Sequence, residues 1–169
     1  MSLIKSRQTG FTLIEMMVTI AIAALLGLMV VPNLVSMVDS GKTSVLVNKF
    51  PQDVAWARNQ AVTTQQPVEI DLTGIAANAC TWNTLVGAQT SNEHSMSLQQ
   101  FNAQYPNVTC IIGNPPATGK LVFDSQGFIS DGNGNAAAPT ITLRAAQGQT
   151  WTLQILASGS VILNSNTAS

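Results

Sequence analysis

The chain has 169 residues, of which 46% are hydrophobic and 9% charged, far below the roughly one quarter charged of an average soluble protein. That length suits one modest domain plus one special segment. The net charge is −1, and beyond Gly10 five basic side chains face eight acidic ones with no Lys/Arg cluster. This argues against nucleic acid as a partner, because phosphate backbones are held by clustered cations that release counterions.

The amino terminus is basic, with Lys5 and Arg7, and then turns apolar, with no charged residue between Met16 and Val38. Residues 11–31 supply about the 20 residues that a helix needs to cross a hydrocarbon core, which leaves Lys5 and Arg7 on the cytoplasmic side. A removable signal peptide is rejected, since Val31-Pro32-Asn33-Leu34 follows in place of a small-x-small cleavage site. Glu15 fits neither a simple span nor a signal. An ionised carboxylate inside a membrane costs about 2.5 kcal/mol or more, so Glu15 either lies near the headgroups or awaits a partner charge.

Gly10-Phe11-Thr12-Leu13-Ile14-Glu15 after a basic leader resembles the processing motif of type IV prepilins and type II secretion pseudopilins. The resemblance implies cleavage after Gly10 by a prepilin peptidase and N-methylation of the new terminus, Phe11. It also implies that Glu15 pairs with the terminal amine of a neighbouring subunit during assembly. Pro32 stands where pilin helices commonly carry a proline; it removes one backbone donor and crowds the preceding turn, which predicts a kink.

Val47, Phe50, Val54, Ala57 and Ala61 recur at three- and four-residue spacing, predicting an amphipathic continuation of the helix with Trp56 off the stripe. Pro51 demands either a second kink or a restart, for which Asp53 would suit the new helix dipole. Pro67 ends the helical region near Thr63–Gln66. Strands are expected at Val68–Leu72, Thr81–Val86, Val108–Ile112, Lys120–Phe123, Thr140–Arg144, Thr150–Leu156 and Ser160–Leu163, separated by Gly-, Asn- and Pro-rich turns. The fold class is therefore α+β, a long amino-terminal helix laid on an antiparallel β domain.

Ala57-Arg58-Asn59-Gln60-Ala61 followed by Pro67-Val68-Glu69-Ile70 resembles the helix end of the GspH/FimT group of pilins. Ser125-Gln126-Gly127 and Ser158-Gly159-Ser160-Val161 resemble that group's glycine turns before strands. Some FimT-like pilins carry an arginine-bearing glycine motif for DNA uptake; Gly159-Ser160-Val161-Ile162-Leu163 has the glycine without the arginine.

Cys80 and Cys110 favour a disulfide if the domain faces an oxidising compartment, with two buried free thiols as the alternative. No CxxC spacing or second histidine accompanies them, so no metal site is expected. His94, the sole histidine, reads as a solvated loop residue rather than a catalytic one. Asp131-Gly132-Asn133-Gly134-Asn135 echoes a calcium loop but reads better as a turn.

The expected organisation is a leader over 1–10, a helix over 11–66 whose membrane part is 11–38, and a periplasmic β-rich domain over 67–169. The expected role is a structural, non-enzymatic, cofactor-free minor pilin in the tip or initiating complex of a type IV pilus. A minor pseudopilin of a type II secretion system is the alternative. The implied partners are other pilin or pseudopilin subunits, the prepilin peptidase and the inner membrane.

Overall fold

The computed structural model describes residues 11–75, 78–146 and 148–166, apart from the side chains of 29–36, 39, 40 and 166. Gly10 therefore lies outside the described residues, and the predicted effect of Pro32 rests on a side chain that also lies outside them. The backbone is one helix, α1, over Leu13–Thr64. Nine strands and a short helix follow: β1 Val68–Asp71, β2 Trp82–Val86, β3 Gln89–Met96, α2 Leu98–Gln104, β4 Val108–Gly113, β5 Lys120–Phe123, β6 Ile129–Ser130, β7 Thr140–Ala145, β8 Thr150–Ile155 and β9 Val161–Asn166. This is the expected α+β class, with three additions, β3, α2 and the two-residue β6, that apolar periodicity did not announce.

The residues up to Asp39 form one unit and Ser40–Ser169 a second. In the first, α1 is apolar all round and its side chains stand exposed from Phe11 to Leu26. A helix with no polar face has no reason to be covered by water, and in a stable setting other apolar matter must surround it. Among the described residues no helix is long and apolar enough to cross a membrane.

The second unit contains the rest of α1 and all the strands. The predicted stripe is the buried one: Val47, Phe50, Val54, Ala57 and Ala61 are each at most 3% exposed. The strands form a five-stranded sheet in the order β3-β2-β1-β5-β6 and a four-stranded sheet in the order β4-β7-β8-β9, with every pairing antiparallel. Strict alternation places Val68, Ile70, Leu121 and Phe123 inward from the first sheet and Cys110, Ile141, Leu143, Leu153 and Ile155 inward from the second. Burying each of the larger side chains contributes about 1.5–3 kcal/mol. Leu46, Phe50, Trp82, Leu143 and Leu153 line one void of only about 10 Å³, so helix and strands meet in a close-packed core.

α1 runs through Pro51 as one helix, without the restart that was one of the two expected alternatives. It ends where Gln65 takes a left-handed φ of 57°, and Pro67 then prevents continuation. α2 opens with a capping box, Ser97 accepting from the Gln100 backbone and Gln100 reaching back to the Ser97 N–H.

Candidate functional site

The helix and the first sheet are latched together by one buried carboxylate. Asp53 belongs to α1, beside the stripe residue Val54, and is 3% exposed. Its Oδ2 accepts from Trp82 Nε1 of β2 at 2.9 Å and from Lys49 Nζ, one turn back on α1, at 3.0 Å. Its Oδ1 lies 3.1 Å from His94 Nδ1 of β3. Lys49 Nζ also donates to the Glu93 carbonyl at 2.9 Å, and the His94 ring stacks on Trp56 with centroids 3.9 Å apart.

These contacts correct the expectation for His94, which lies on a strand and against the helix rather than on a solvated loop. They also give Asp53 a different role: it joins elements instead of serving a helix start. Strand β3, with sequence QTSNEHSM, offers little apolar area, so polar side chains secure it. Ser95, near His94 in sequence, accepts from Thr84 N and donates to the Ser91 carbonyl. Its hydroxyl is thereby committed to strand pairing. A clue in the sequence was available in Lys49 and Asp53, an i,i+4 pair beside the apolar stripe.

The two cysteines meet. Cys80, in the loop between β1 and β2, is joined by a disulfide to Cys110 of β4, both 1% exposed. The bridge ties a connection of the first sheet to an edge of the second.

The loop from Asp131 to Asn135 is a turn built on its own first residue. Asp131 Oδ1 accepts from the Asn133 and Asn135 backbone N–H groups at 2.9 and 3.0 Å, and Oδ2 accepts from Asn135 Nδ2 at 3.1 Å. The Asn135 side-chain bond, aided by the backbone N–H bonds, holds the Asp131 carboxyl below the ordinary carboxylate range, against desolvation. A depressed folded value stabilises the loop above the unfolded carboxylate value near 4, and that stabilisation is lost as pH falls through the folded one. Hydrogen exchange at the Asn133 and Asn135 amides is expected to stay slow at pH 5 and to accelerate only below about pH 4. Unchanged protection at pH 2 would show that the carboxylate does not hold the turn.

At the amino-terminal end, Thr12 caps α1, its hydroxyl accepting from the Glu15 N–H at 3.3 Å. The Glu15 carboxylate stands exposed in the first turn among Leu13, Ile14, Met16 and Met17, and Phe11 is 78% exposed. An acid on an apolar surface is an open acceptor for a cation brought by whatever covers that surface.

The prokaryotic N-terminal methylation motif matches residues 5–31, and the type II transport protein GspH family matches residues 46–159, roughly two thirds of the chain. Two crystal structures of the type IV minor pilin FimU from Pseudomonas aeruginosa strain PAO1 are similar in fold. One shares 14% identity and covers 78% of this chain and 98% of its own, with a TM-score of 0.52. The other shares 14% identity over 74% of this chain and 98% of its own, with a TM-score of 0.48. No curated protein matches the chain.

Proposed function

Because the chain belongs to the type II transport protein GspH family and carries its methylation motif in front of that domain, we propose that it is a structural minor pilin of a type IV pilus. In this reading residues 1–10 are a leader removed after Gly10 by a prepilin peptidase, Phe11 is N-methylated, and the chain waits in the inner membrane as a single-pass protein. The β-rich part, 67–169, faces the periplasm until the subunit enters the tip or initiating complex of the pilus. No catalysis is involved.

The observation that carries this reading is the exposed, all-round apolar start of α1 with one carboxylate set into it. Lipid satisfies the apolar side chains before assembly, and helices of other subunits satisfy them afterwards. Glu15 adds direction to that exchange. Leaving lipid for a bundle of helices changes apolar contact little, whereas pairing Glu15 with a neighbour's terminal amine removes the cost of an isolated charge.

Glu15→Val is expected to insert into the membrane at the normal level yet to fall at least about tenfold in sheared filaments, as fits a lost ion pair in apolar surroundings. Quantitative blots of membrane and sheared fractions would check this, and normal incorporation would defeat the pairing idea.

The GspH family is described by type II transport, so a pseudopilin of a type II secretion system is the second reading. A deletion strain scored for surface pili and for secreted hydrolase activity separates the two. Loss of pili with normal secretion supports the pilus, and the reverse supports the secretion pseudopilus.

A further inference from the structure

Arg58 of α1 occupies an unusual position for a surface arginine. It is half-buried, and its side chain runs between two tight turns. The first turn is closed by Asp124, whose Oδ1 accepts from the Gln126 and Phe128 N–H groups at 2.9 Å each, and it contains Gly127 at φ +83°. The second, with Gly159 at φ +79°, is closed by the Gly159 N–H to the Leu156 carbonyl at 2.9 Å. A Cβ on Gly127 would lie 2.9 Å from Arg58 Nε, and one on Gly159 would lie 2.8 Å from Arg58 Cδ. Both glycines thus answer two demands, a left-handed backbone and room for this one side chain. The arginine stem is fixed by what surrounds it.

Its head group has no ionic counterpart among the described residues. Among the described residues, the ion pairs are Lys49–Asp53, His94–Asp53 and Lys120–Glu69, and no hydrogen bond engages the Arg58 guanidinium. Beside it opens a cleft of about 230 Å³ lined by Pro51, Ala55, Asn59, Ser160 and Val161, with no carboxylate in its wall. Apolar side chains also meet solvent nearby: Phe128, next to Gly127, is 55% exposed, and Val62, one helical turn beyond Arg58, is 40% exposed.

We propose that this notch is a docking point for a neighbouring subunit of the filament, which sets a carboxylate side chain against the Arg58 guanidinium. The inference rests on the pilus-subunit reading above and gives that subunit a second contact, separate from its amino-terminal helix. A preorganised arginine beside an exposed aromatic has the composition of an interface centre. Any surface that covers the guanidinium without an acceptor incurs the full cost of burying a lone charge, so the covering surface must bring one. The planar fork matches a carboxylate bidentately. A phosphate backbone fits less well, because one arginine in an acidic chain cannot track a polyanion.

The test uses the full chain in its own strain, with Arg58→Glu, Arg58→Gln and Glu15→Val compared for membrane level, Cys80–Cys110 oxidation and recovery in sheared filaments. Arg58→Glu is expected to keep the membrane level and to lower incorporation about tenfold, as fits reversal of a desolvated charge. Arg58→Gln, which keeps the polar head without the charge, should lower it several-fold. Replacing the facing acidic residue of a co-assembled subunit with Arg should restore Arg58→Glu. Incorporation of Arg58→Glu within about twofold of wild type would overturn the proposal, as would failure of every acid-to-Arg change in the co-assembled subunits to restore it. Should Arg58→Glu not accumulate, wild-type incorporation of Arg58→Gln would overturn it equally. Unchanged incorporation with lowered DNA retention would assign Arg58 to nucleic acid instead. If the wild-type chain is itself missing from sheared filaments, the filament reading fails; if it is present and the Arg58 variants match it, this inference alone falls.

Discussion

Asp53→Ala is expected to destabilise the Ser40–Ser169 unit by about 3 kcal/mol or more, the usual consequence of removing one member of a buried, multiply bonded charge group. Three donors lose their acceptor at once. Trp82 Nε1 is the most costly of them, since Trp82 is 2% exposed and its N–H has no route to water. Lys49 and His94 keep partial access to solvent, at 26% and 22% side-chain exposure, and recover some hydration. A loss of that size lowers the melting temperature by roughly 10 °C for a unit of this length. Asp53→Asn should cost less, because the amide oxygen can still accept from Trp82 while its NH₂ faces only one of the other two donors. Thermal unfolding of the detergent-solubilised full chain, followed by tryptophan fluorescence, measures both. If Asp53→Ala melted within about 2 °C of wild type, the carboxylate would not be the latch described here.

The second large effect concerns the disulfide. Replacing Cys80 and Cys110 together by Ser is expected to cost about 3 kcal/mol, because the bridge spans a sequence separation of 30 residues and restricts the unfolded chain accordingly. The two thiols are replaced inside the core, next to Phe50, Trp82 and Leu143, so cavity relaxation cannot make good the lost constraint. Urea unfolding gives the check. The oxidised wild type should have the highest midpoint, while the reduced wild type and the double variant should fall together well below it. Equal midpoints with and without reductant would show that the core holds β4 in place unaided.

Much of this was readable in the sequence, and what was not has identifiable causes. The buried stripe and seven of the strands were legible because apolar residues recur at the helical and strand periods. β3 was illegible because its attachment runs through Ser95, His94 and Lys49 rather than through alternating apolar side chains. α2 is only seven residues long and too short for a periodic signal, yet Ser97 and Gln100 were a capping box in plain view. The division of the strands between two sheets depends on long-range pairing, such as β1 with β5, which no local pattern encodes. Asp53 misled because a carboxylate just after a proline looks like a helix start, and only the tertiary structure shows three donors converging on it. The Arg58 notch needed the same help, since Gly127 and Gly159 lie far from Arg58 in sequence and each alone looks like an ordinary turn.

The Asp53 latch has one more consequence, which concerns sliding rather than strength. The buried stripe of Val47, Phe50, Val54, Ala57 and Ala61 nearly repeats itself when the helix is displaced by one turn, about 5.4 Å. Apolar contacts are non-directional and would penalise such a slip only through imperfect fit. Asp53 breaks the degeneracy. One turn out of place, it would leave Trp82 and His94 and enter apolar surroundings as a lone charge. A single carboxylate therefore sets the phase of helix against sheet within the Ser40–Ser169 unit, as a pawl sets a ratchet.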